Sequence, residues 1–248
     1  MASALVTGAT SGIGRAAALA LGDAGWWVLA TGMESAEGEN VAKQLEQKSG
    51  GAFIAGDLTD PEIPSALIKS VVDTTGTLDL LVNNAGIHFA AGLDRLDLDE
   101  YDNLLEINLR APVLLAKLAL EVMLAQGSGV IINIASEAGL VAVPGQVAYN
   151  ISKAGLIMLT RSLTADYAAR GIRAVSICPG TTRTPLVEKA IASAPDPEAH
   201  ERMLAASRPA HRLGRPEEIA AAVVFAASDV ASYLNGTEIV IDGGYTVV

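Results

Sequence analysis

The strongest constraint on the fold is an alternation of short apolar runs with longer segments of helical pattern along the whole chain. Most of the short runs are nearly continuous hydrophobic stretches, as expected for strands that are covered on both faces. This alternation predicts parallel strands joined by right-handed helical crossovers. The predicted strands are Ala4–Thr7, Trp27–Thr31, Ala52–Gly56, Leu80–Val82, Val130–Ile134, Ala174–Ile177 and Glu238–Ile241.

Six helical segments lie between these strands and complete the prediction of the fold class. We expect an α/β protein with a single Rossmann-type, doubly wound domain over residues 1–248, built on a seven-stranded parallel sheet with helices on both faces. Residues 184–212 break the pattern, because they hold four prolines among charges and alanines. This segment is too rich in proline for a core helix and is predicted to be a mobile substrate lid. The predicted helices are Gly14–Ala24, Ser35–Lys48, Pro61–Thr74, Leu98–Ala125, Ala148–Arg170 and Pro216–Ala227.

Composition and charge exclude several classes of protein. Half of the residues are apolar, which is enough for a large core, and 28 acidic against 17 basic residues give a net charge of −11. This balance repels phosphate backbones and anionic lipids, so we expect no nucleic-acid or membrane partner. The single cysteine, Cys178, cannot form an internal disulfide, and no cluster has metal-ligand spacing. The first residues lack a signal-peptide pattern, so the sequence predicts a soluble cytoplasmic protein without a metal.

A glycine-rich turn, Gly8-Ala9-Thr10-Ser11-Gly12-Ile13-Gly14, follows the first predicted strand and opens a helix. Glycines let the backbone approach a pyrophosphate closely, and the helix N-terminus offers free N–H groups to the anion. The spacing is not G-x-G-x-x-G, so a glycine-rich turn of some other α/β protein is the alternative. The turn predicts a dinucleotide site.

Two further motifs lie downstream in the sequence. Asn83-Asn84-Ala85-Gly86 follows the fourth predicted strand, and Tyr149-Asn150-Ile151-Ser152-Lys153 lies on a predicted helix, with Ser136 thirteen residues before the tyrosine. With the glycine turn, these motifs resemble the short-chain dehydrogenase/reductase family, in the family's order, from Leu5 to Gly244. The resemblance implies an enzyme that uses NAD(P) to interconvert a secondary alcohol and its ketone by hydride transfer.

The predicted catalytic residues are Asn108, Ser136, Tyr149 and Lys153. Tyr149 and Lys153 are four residues apart on a helix and therefore project from one face. A nearby ammonium favours the phenolate, so with the positive nicotinamide we expect the phenol pKa to fall from ~10 by roughly three units. The resemblance implies that Tyr149 exchanges the alcohol proton, Ser136 hydrogen-bonds the substrate oxygen, Lys153 also holds the nicotinamide ribose, and Asn108 orders a water beyond the lysine. The alternative is that Tyr149 and Ser136 are ordinary helix and loop residues.

Further cofactor contacts follow from the resemblance. Residues 84–86 match the chain that lies against the adenosine ribose, and Asp57 with Leu58 matches the adenine site. A plain turn at 84–86 and a turn-capping role for Asp57 are the alternatives. Residues 179–184 match the loop beside the nicotinamide ring and its carboxamide. The predicted cofactor-binding residues are Gly8, Ser11, Gly12, Ile13, Gly14, Asp57, Leu58, Asn84, Ala85, Gly86, Tyr149, Lys153, Pro179, Gly180, Thr182 and Thr184.

The segment after the second strand departs from the family pattern. Ala30-Thr31-Gly32-Met33-Glu34 has no Asp for the ribose hydroxyls, and no Lys or Arg occurs between Trp26 and Ala42. Its glutamates would repel a 2′-phosphate, and Arg15 is the only cation nearby. The sequence therefore favours NAD and leaves NADP open.

Polar residues beside the predicted reaction centre indicate the substrate class. His88, Glu137 and Gln146 could meet a hydroxylated ligand, together with Ser136 and Tyr149, although they could equally be rim residues. We therefore predict a small polar secondary alcohol, such as a polyol or sugar. A 3-oxoacyl thioester reductase is the alternative, because its motifs are equally similar.

Other classes and the assembly state complete the predictions. A non-catalytic dinucleotide-binding regulator is disfavoured by the intact catalytic set, and a serine hydrolase by the absence of G-x-S-x-G. Apolar faces on Leu98–Ala125 and Ala148–Arg170, with the apolar residues Tyr245–Val248, predict a homo-oligomer. The resemblance implies a tetramer.

Overall fold

The computed structural model describes residues 1–248, and its centre is one seven-stranded sheet in which every strand pair is parallel. The strand order is β3-β2-β1-β4-β5-β6-β7, so the direction of winding reverses between β1 and β4. This order confirms the predicted doubly wound, Rossmann-type fold. The strands are β1 Ser3–Thr7, β2 Trp27–Gly32, β3 Gly51–Ala55, β4 Leu80–Asn83, β5 Gly129–Ile134, β6 Ile172–Pro179 and β7 Thr237–Ile241.

Of the nine α-helices, six cover the two faces of the sheet. The first, second and ninth helices contribute to the hydrophobic core on one face, and the third, fifth and sixth to the core on the other. No helix has the length and hydropathy that a membrane span requires. The helices are α1 Gly12–Asp23, α2 Ser35–Glu46, α3 Glu62–Thr75, α4 Leu98–Leu105, α5 Ala111–Gln126, α6 Val147–Tyr167, α7 Pro185–Ala192, α8 Pro197–Ala206 and α9 Pro216–Ala227.

The continuous apolar runs are the central strands of the sheet. All residues of β1 and β4 are buried. Successive side chains of a strand point to opposite faces, so Val6 packs into one core cluster and Leu5 into the other. Leu5 is in register with Leu29 and Leu81, and full burial of each such side chain contributes about 1.5–3 kcal/mol.

The segment 184–212 holds two helices that the sequence pattern did not reveal. Helices α7 and α8 both begin at a proline, where the missing N–H costs nothing. Of their residues only Ile191 is buried, so neither is a core helix. Two of the prolines that interrupt the pattern therefore start helices, and the mobility of the segment stays a prediction.

The predicted helix Leu98–Ala125 is also divided. The π-helical turn Glu106–Arg110 lies between α4 and α5. A π turn inserts one extra residue into the hydrogen-bonding pattern and re-aims the side chains that it carries. The buried residue of this turn is Asn108, one of the predicted catalytic residues.

Candidate active site

The glycine turn between β1 and α1 has a shape that only glycine allows. Gly8 and Gly12 have positive φ angles of 62° and 52°. A Cβ atom at Gly8 would lie 2.9 Å from the Cα atom of Ala85, and one at Gly14 would lie 2.2 Å from the carbonyl oxygen of Gly8. Any side chain at Gly8 or Gly14 would therefore push the loop after β4 away from the glycine turn.

The N-terminus of α1 fits an anionic group. Ser11 is the N-cap in extended conformation, its side chain makes no capping hydrogen bond, and the first turn contains no acidic residue. The first N–H groups of the helix and its dipole are thus available to an anion. A dinucleotide pyrophosphate suits this glycine-lined cradle, so the residues present fit an NAD(P) cofactor.

The loop after β4 is tied to the glycine turn by the side chain of Asn84. The Asn84 Nδ2 atom donates to the carbonyl oxygens of Thr7 at 2.8 Å and Gly8 at 3.1 Å. The Thr7 hydroxyl accepts from the backbone N–H groups of Asn84 and Ala85, both at 3.0 Å. The Asn84 amide therefore fixes the loop, which leaves the exposed backbone at Gly86 as the part of the motif that a ribose can approach.

Asn108 secures the next residues of this loop from the π-helical turn. Its Oδ1 atom accepts from the N–H of Ile87, and its Nδ2 atom donates to the Ile87 carbonyl, both at 2.8 Å. Nδ2 also lies 3.3 Å from the Ser152 hydroxyl of α6. Asn108 thus connects the β4 loop with the helix that carries Tyr149 and Lys153.

The structure brings Ser136, Tyr149 and Lys153 together: Ser136 lies just after β5, and the other two lie in the first two turns of α6. The Lys153 ammonium lies 5.5 Å from the centre of the Tyr149 ring and donates to the Ile134 carbonyl at 2.9 Å. The Ser136 hydroxyl accepts from the N–H of Ala138 at 3.1 Å and faces Tyr149 closely enough to lower the pKa of its phenol.

Burial dominates the ionisation of this group of side chains. It raises the pKa of Tyr149 to about 12, with Ser136 lowering that pKa and Glu137 raising it. Burial also lowers the pKa of Lys153 to about 8. The expected lowering of the phenol pKa by the lysine is therefore not seen without cofactor, because the ammonium is directed to the Ile134 carbonyl and desolvation outweighs the effect of the Ser136 hydroxyl.

His88 and Gln146 stand beside Tyr149, where a substrate contact was predicted. The His88 ring lies edge-on to the Tyr149 ring, with centroids 4.9 Å apart and planes at 80°. Burial lowers the pKa of His88, and the smaller opposing effect of the nearby Gln146 side chain does not reverse this, so the neutral imidazole is favoured. A neutral imidazole can both donate and accept a hydrogen bond.

Glu137 is buried, so the alternative that it is a rim residue does not hold. Its Oε1 atom accepts from Arg208 Nη2 at 2.8 Å, and only 6% of the glutamate is exposed. Arg208 was missed by the sequence analysis, since no local pattern marks an arginine whose partner is 71 residues away.

The remaining predicted cofactor residues lie along the same edge of the sheet. Thr184 touches the glycine turn, because a Cβ atom at Gly12 would lie 3.1 Å from its methyl group. The Thr184 hydroxyl caps α7 through Val187, and Thr182 donates to the carbonyl of Gly180. Ile13 and Leu58 pack against the cores on opposite faces, and Gly180 is bonded to β7 next to Pro179.

The carboxylate of Asp57 is engaged in its own turn. Its Oδ1 atom accepts from the N–H of Thr59 at 2.9 Å and from the Thr59 hydroxyl at 2.8 Å. These two bonds hold the pKa of Asp57 below its usual value. The turn-capping alternative thus describes the side-chain contacts, and a role toward adenine stays a prediction.

Together these features define a class of protein: an α/β dinucleotide-binding enzyme with Ser, Tyr and Lys beside the point where the strand order reverses. The family model described as enoyl-(acyl carrier protein) reductase matches residues 8–246. A solved structure of a short-chain type dehydrogenase/reductase from Mycobacterium marinum superposes with a TM-score of 0.92 at 33% identity, covering 100% of this chain and 96% of that one.

Curated relatives with dehydrogenase or reductase names align with this chain along nearly their whole length. Cis-4-hydroxycyclohexanecarboxylate dehydrogenase of Sinomonas cyclohexanicum is 41% identical over 99% of this chain and 96% of its own. D-threitol dehydrogenase of Mycolicibacterium smegmatis is 38% identical over 98% and 92%. The 3-oxoacyl-[acyl-carrier-protein] reductase FabG of Thermotoga maritima is 34% identical over 98% and 97%.

The chain belongs to the short-chain dehydrogenase/reductase family. It is an NAD(P)-dependent oxidoreductase that acts on CH–OH groups, interconverting a secondary alcohol and its ketone by hydride transfer.

Proposed function

We propose that this enzyme acts on a small polar secondary alcohol of the polyol or sugar type, with NAD as its preferred cofactor. The observation that carries the substrate class is the group of polar side chains around Tyr149, formed by Ser136, His88 and Gln146. Burying such groups against an apolar substrate costs about 1–3 kcal/mol for each one left unpaired. The names of two relatives, a D-threitol and a cis-4-hydroxycyclohexanecarboxylate dehydrogenase, add support.

In this proposal Tyr149 exchanges the proton of the alcohol oxygen, and the Ser136 hydroxyl hydrogen-bonds that oxygen. Lys153 serves both the phenol and the nicotinamide ribose, since an ammonium has three donors and one is used by the Ile134 carbonyl. Asn108 positions the loop after β4. The nicotinamide, when bound, supplies the chemistry of hydride transfer.

The NAD preference rests on charge around the turn after β2. The Glu34 carboxylate accepts from the Thr10 hydroxyl at 2.6 Å, which fixes an acidic group beside the glycine turn. Arg15 on α1 donates to the Gln44 side chain at 3.3 Å. A fixed carboxylate suits ribose hydroxyls and repels a 2′-phosphate.

A 3-oxoacyl thioester reductase is the second candidate, favoured by the relative of that name and by the matching family model. An acidic acyl carrier would have to dock on a protein of net charge −11. This repulsion is the physical reason to rank the thioester below a free polar alcohol.

One steady-state comparison tests the substrate class and the cofactor together. The kcat/KM values for a panel of polyols, sugars and cyclic hydroxy acids with NAD and NADP are compared with those for acetoacetyl thioester with NADH and NADPH. We expect a polar alcohol with NAD to give the highest value. The thioester with NADPH as the best pair would overturn both proposals.

We further propose a homotetramer, located in the cytoplasm. Apolar residues on the outer faces of α5 and α6 support self-association, because Val113, Ile151 and Met158 are 44%, 46% and 55% exposed. The number of subunits comes from the family resemblance, and the location from the composition.

A further inference from the structure

A buried ion pair connects the turn after Ser136 with the end of the 184–212 segment. Arg208 Nη2 donates to Glu137 Oε1 at 2.8 Å, and the two residues are 3% and 6% exposed. Taking two charges out of water costs several kcal/mol per ion unless further hydrogen bonds compensate. A buried ion pair contributes little net stability, so we consider a role for this pair in the active site.

Arg208 contacts several segments that surround the active site. Its Nη2 atom also donates to the Thr181 hydroxyl at 2.8 Å, after β6. Its Nη1 atom donates to the carbonyl of Leu204 in α8, and its guanidinium lies 5.1 Å from the centre of the Tyr245 ring. The arginine therefore ties the end of α8 to the catalytic turn, the β6 loop and the C-terminal segment.

The turn that begins at Glu137 is packed tightly against α6. Its N–H at Ala138 donates to the Ser136 hydroxyl at 3.1 Å. A Cβ atom at Gly139 would lie 2.7 Å from the backbone carbon of Lys153. A shift of this turn would therefore move Ser136 relative to Lys153.

The charge of Glu137 also reaches Tyr149. The groups that face the Glu137 carboxylate are Arg208 after α8, Asp242 after β7 and Tyr149 on α6. Asp242 is held as a carboxylate by hydrogen bonds from Gly244 and Thr246. Arg208 is thus the only cation among these neighbours.

We propose that Glu137 and Arg208 are positioning residues for proton transfer: the pair fixes the Ser136 turn to the end of the 184–212 segment, and Arg208 balances the carboxylate that faces Tyr149. The inference rests on the proposed role of Tyr149. Burial raises the pKa of Glu137 to about 7 against the opposing effect of Arg208, so the charge that faces Tyr149 changes near neutral pH.

Three variants test the proposal. Glu137→Gln keeps the volume and an acceptor for Arg208 but removes the charge, whereas Arg208→Met breaks the tie. Arg202→Met is the matched control, since Arg202 lies on α8 in an exposed pair with Glu198. The pH dependence of kcat for alcohol oxidation is measured for each, together with hydrogen exchange of the amides in residues 184–212.

In the plot of kcat for alcohol oxidation against pH, we expect Glu137→Gln to move the midpoint of the rising limb to lower pH by roughly half a unit or more. The reason is that the carboxylate that raises the phenol pKa is gone. Arg208→Met should lower kcat at least tenfold and speed exchange in residues 184–212, with Arg202→Met unchanged in both. Arg208→Lys should restore part of the rate.

An unchanged midpoint in Glu137→Gln would overturn the proposal, and so would exchange in Arg208→Met that is no faster than in the control. The isosteric Glu137→Gln variant keeps the test decisive if Arg208→Met does not fold. Tyr149→Phe is measured in parallel: retention of the rate and of the same limb would refute the role of Tyr149, and this proposal with it.

Discussion

At the residue scale, burial sets the resting protonation state of the site. It raises the pKa of Tyr149 to about 12 and lowers that of Lys153 to about 8. At pH 7 the chain therefore holds a neutral phenol, which is the form that gives a proton to a carbonyl oxygen undergoing reduction. The reverse reaction needs the phenolate, so oxidation should be favoured by rising pH.

Tyr149→Phe keeps the ring and its contact with His88 but removes the exchangeable proton. We expect kcat to fall at least about a hundredfold, with the dissociation constant for NAD changed little. Steady-state rates and fluorescence titration with NAD check both values. Tyr233→Phe is the matched control, because Tyr233 is fully exposed. Turnover near the wild-type rate in Tyr149→Phe would remove this tyrosine from the reaction.

Lys153→Met should affect two parameters at once. The ammonium lies beside the Tyr149 ring and, as proposed, also binds the nicotinamide ribose. We therefore expect both a lower kcat and a weaker affinity for NAD, each by tenfold or more. The same rate and titration measurements apply. A change in only one of the two parameters would contradict the double role.

At the scale of elements, the strands and the glycine turn were predicted from the sequence, whereas the break between α4 and α5 was not. Continuous apolar runs identify a parallel sheet because both faces are covered. The glycine turn lies where it was predicted, and its helix begins at Gly12, two residues before the predicted start. The π-helical turn at Asn108 was not predicted, since α5 is apolar on nearly all sides and its pattern therefore shows no shift of phase.

Two other differences concern Glu137 and the segment 184–212. Glu137 is adjacent to Ser136 and was placed among the substrate contacts. Its partner Arg208 lies just after α8, and the ion pair between them is buried. The prolines of residues 184–212 suggested an irregular segment, yet two of them start helices. The burial of Glu137 does not follow from local pattern, because it depends on which elements the fold brings together. The two helix starts do have a local signal, since Thr184 and Asp196 cap helices whose first residue is a proline.

The turn between β2 and α2 carries the cofactor prediction. Glu34→Lys should raise the ratio of kcat/KM for NADP to that for NAD by at least tenfold, or about 1.4 kcal/mol, because it replaces a fixed carboxylate with a cation. Kinetics with both cofactors at one substrate concentration measure the ratio. Glu37→Lys makes the same change of charge in the first turn of α2 and serves as the control. Equal ratios in both variants would show that only net charge matters.

At the scale of the whole molecule, exposed apolar faces and strong negative charge act in opposite directions. Light scattering at micromolar concentration should give four times the chain mass of 25.5 kDa. Met158→Glu places a charge on the outer face of α6 and should lower that mass, whereas Thr74→Glu on α3 should not. A wild-type mass of one chain would refute self-association.

The pH dependence of stability offers a test that needs no substrate. Burial raises the pKa of Glu137 from 4.5 to about 7, so the folded state binds a proton that the unfolded state releases between these values. The free energy of unfolding of the wild type should therefore fall, relative to Glu137→Gln, as the pH rises from about 4 to 8, by on the order of 1–3 kcal/mol. Urea unfolding of the two proteins at pH 5 and pH 8 measures the difference. A gap between wild type and variant that stays constant across this range would mean that Arg208 fully compensates the buried carboxylate, because the linkage vanishes when the folded and unfolded pKa values agree.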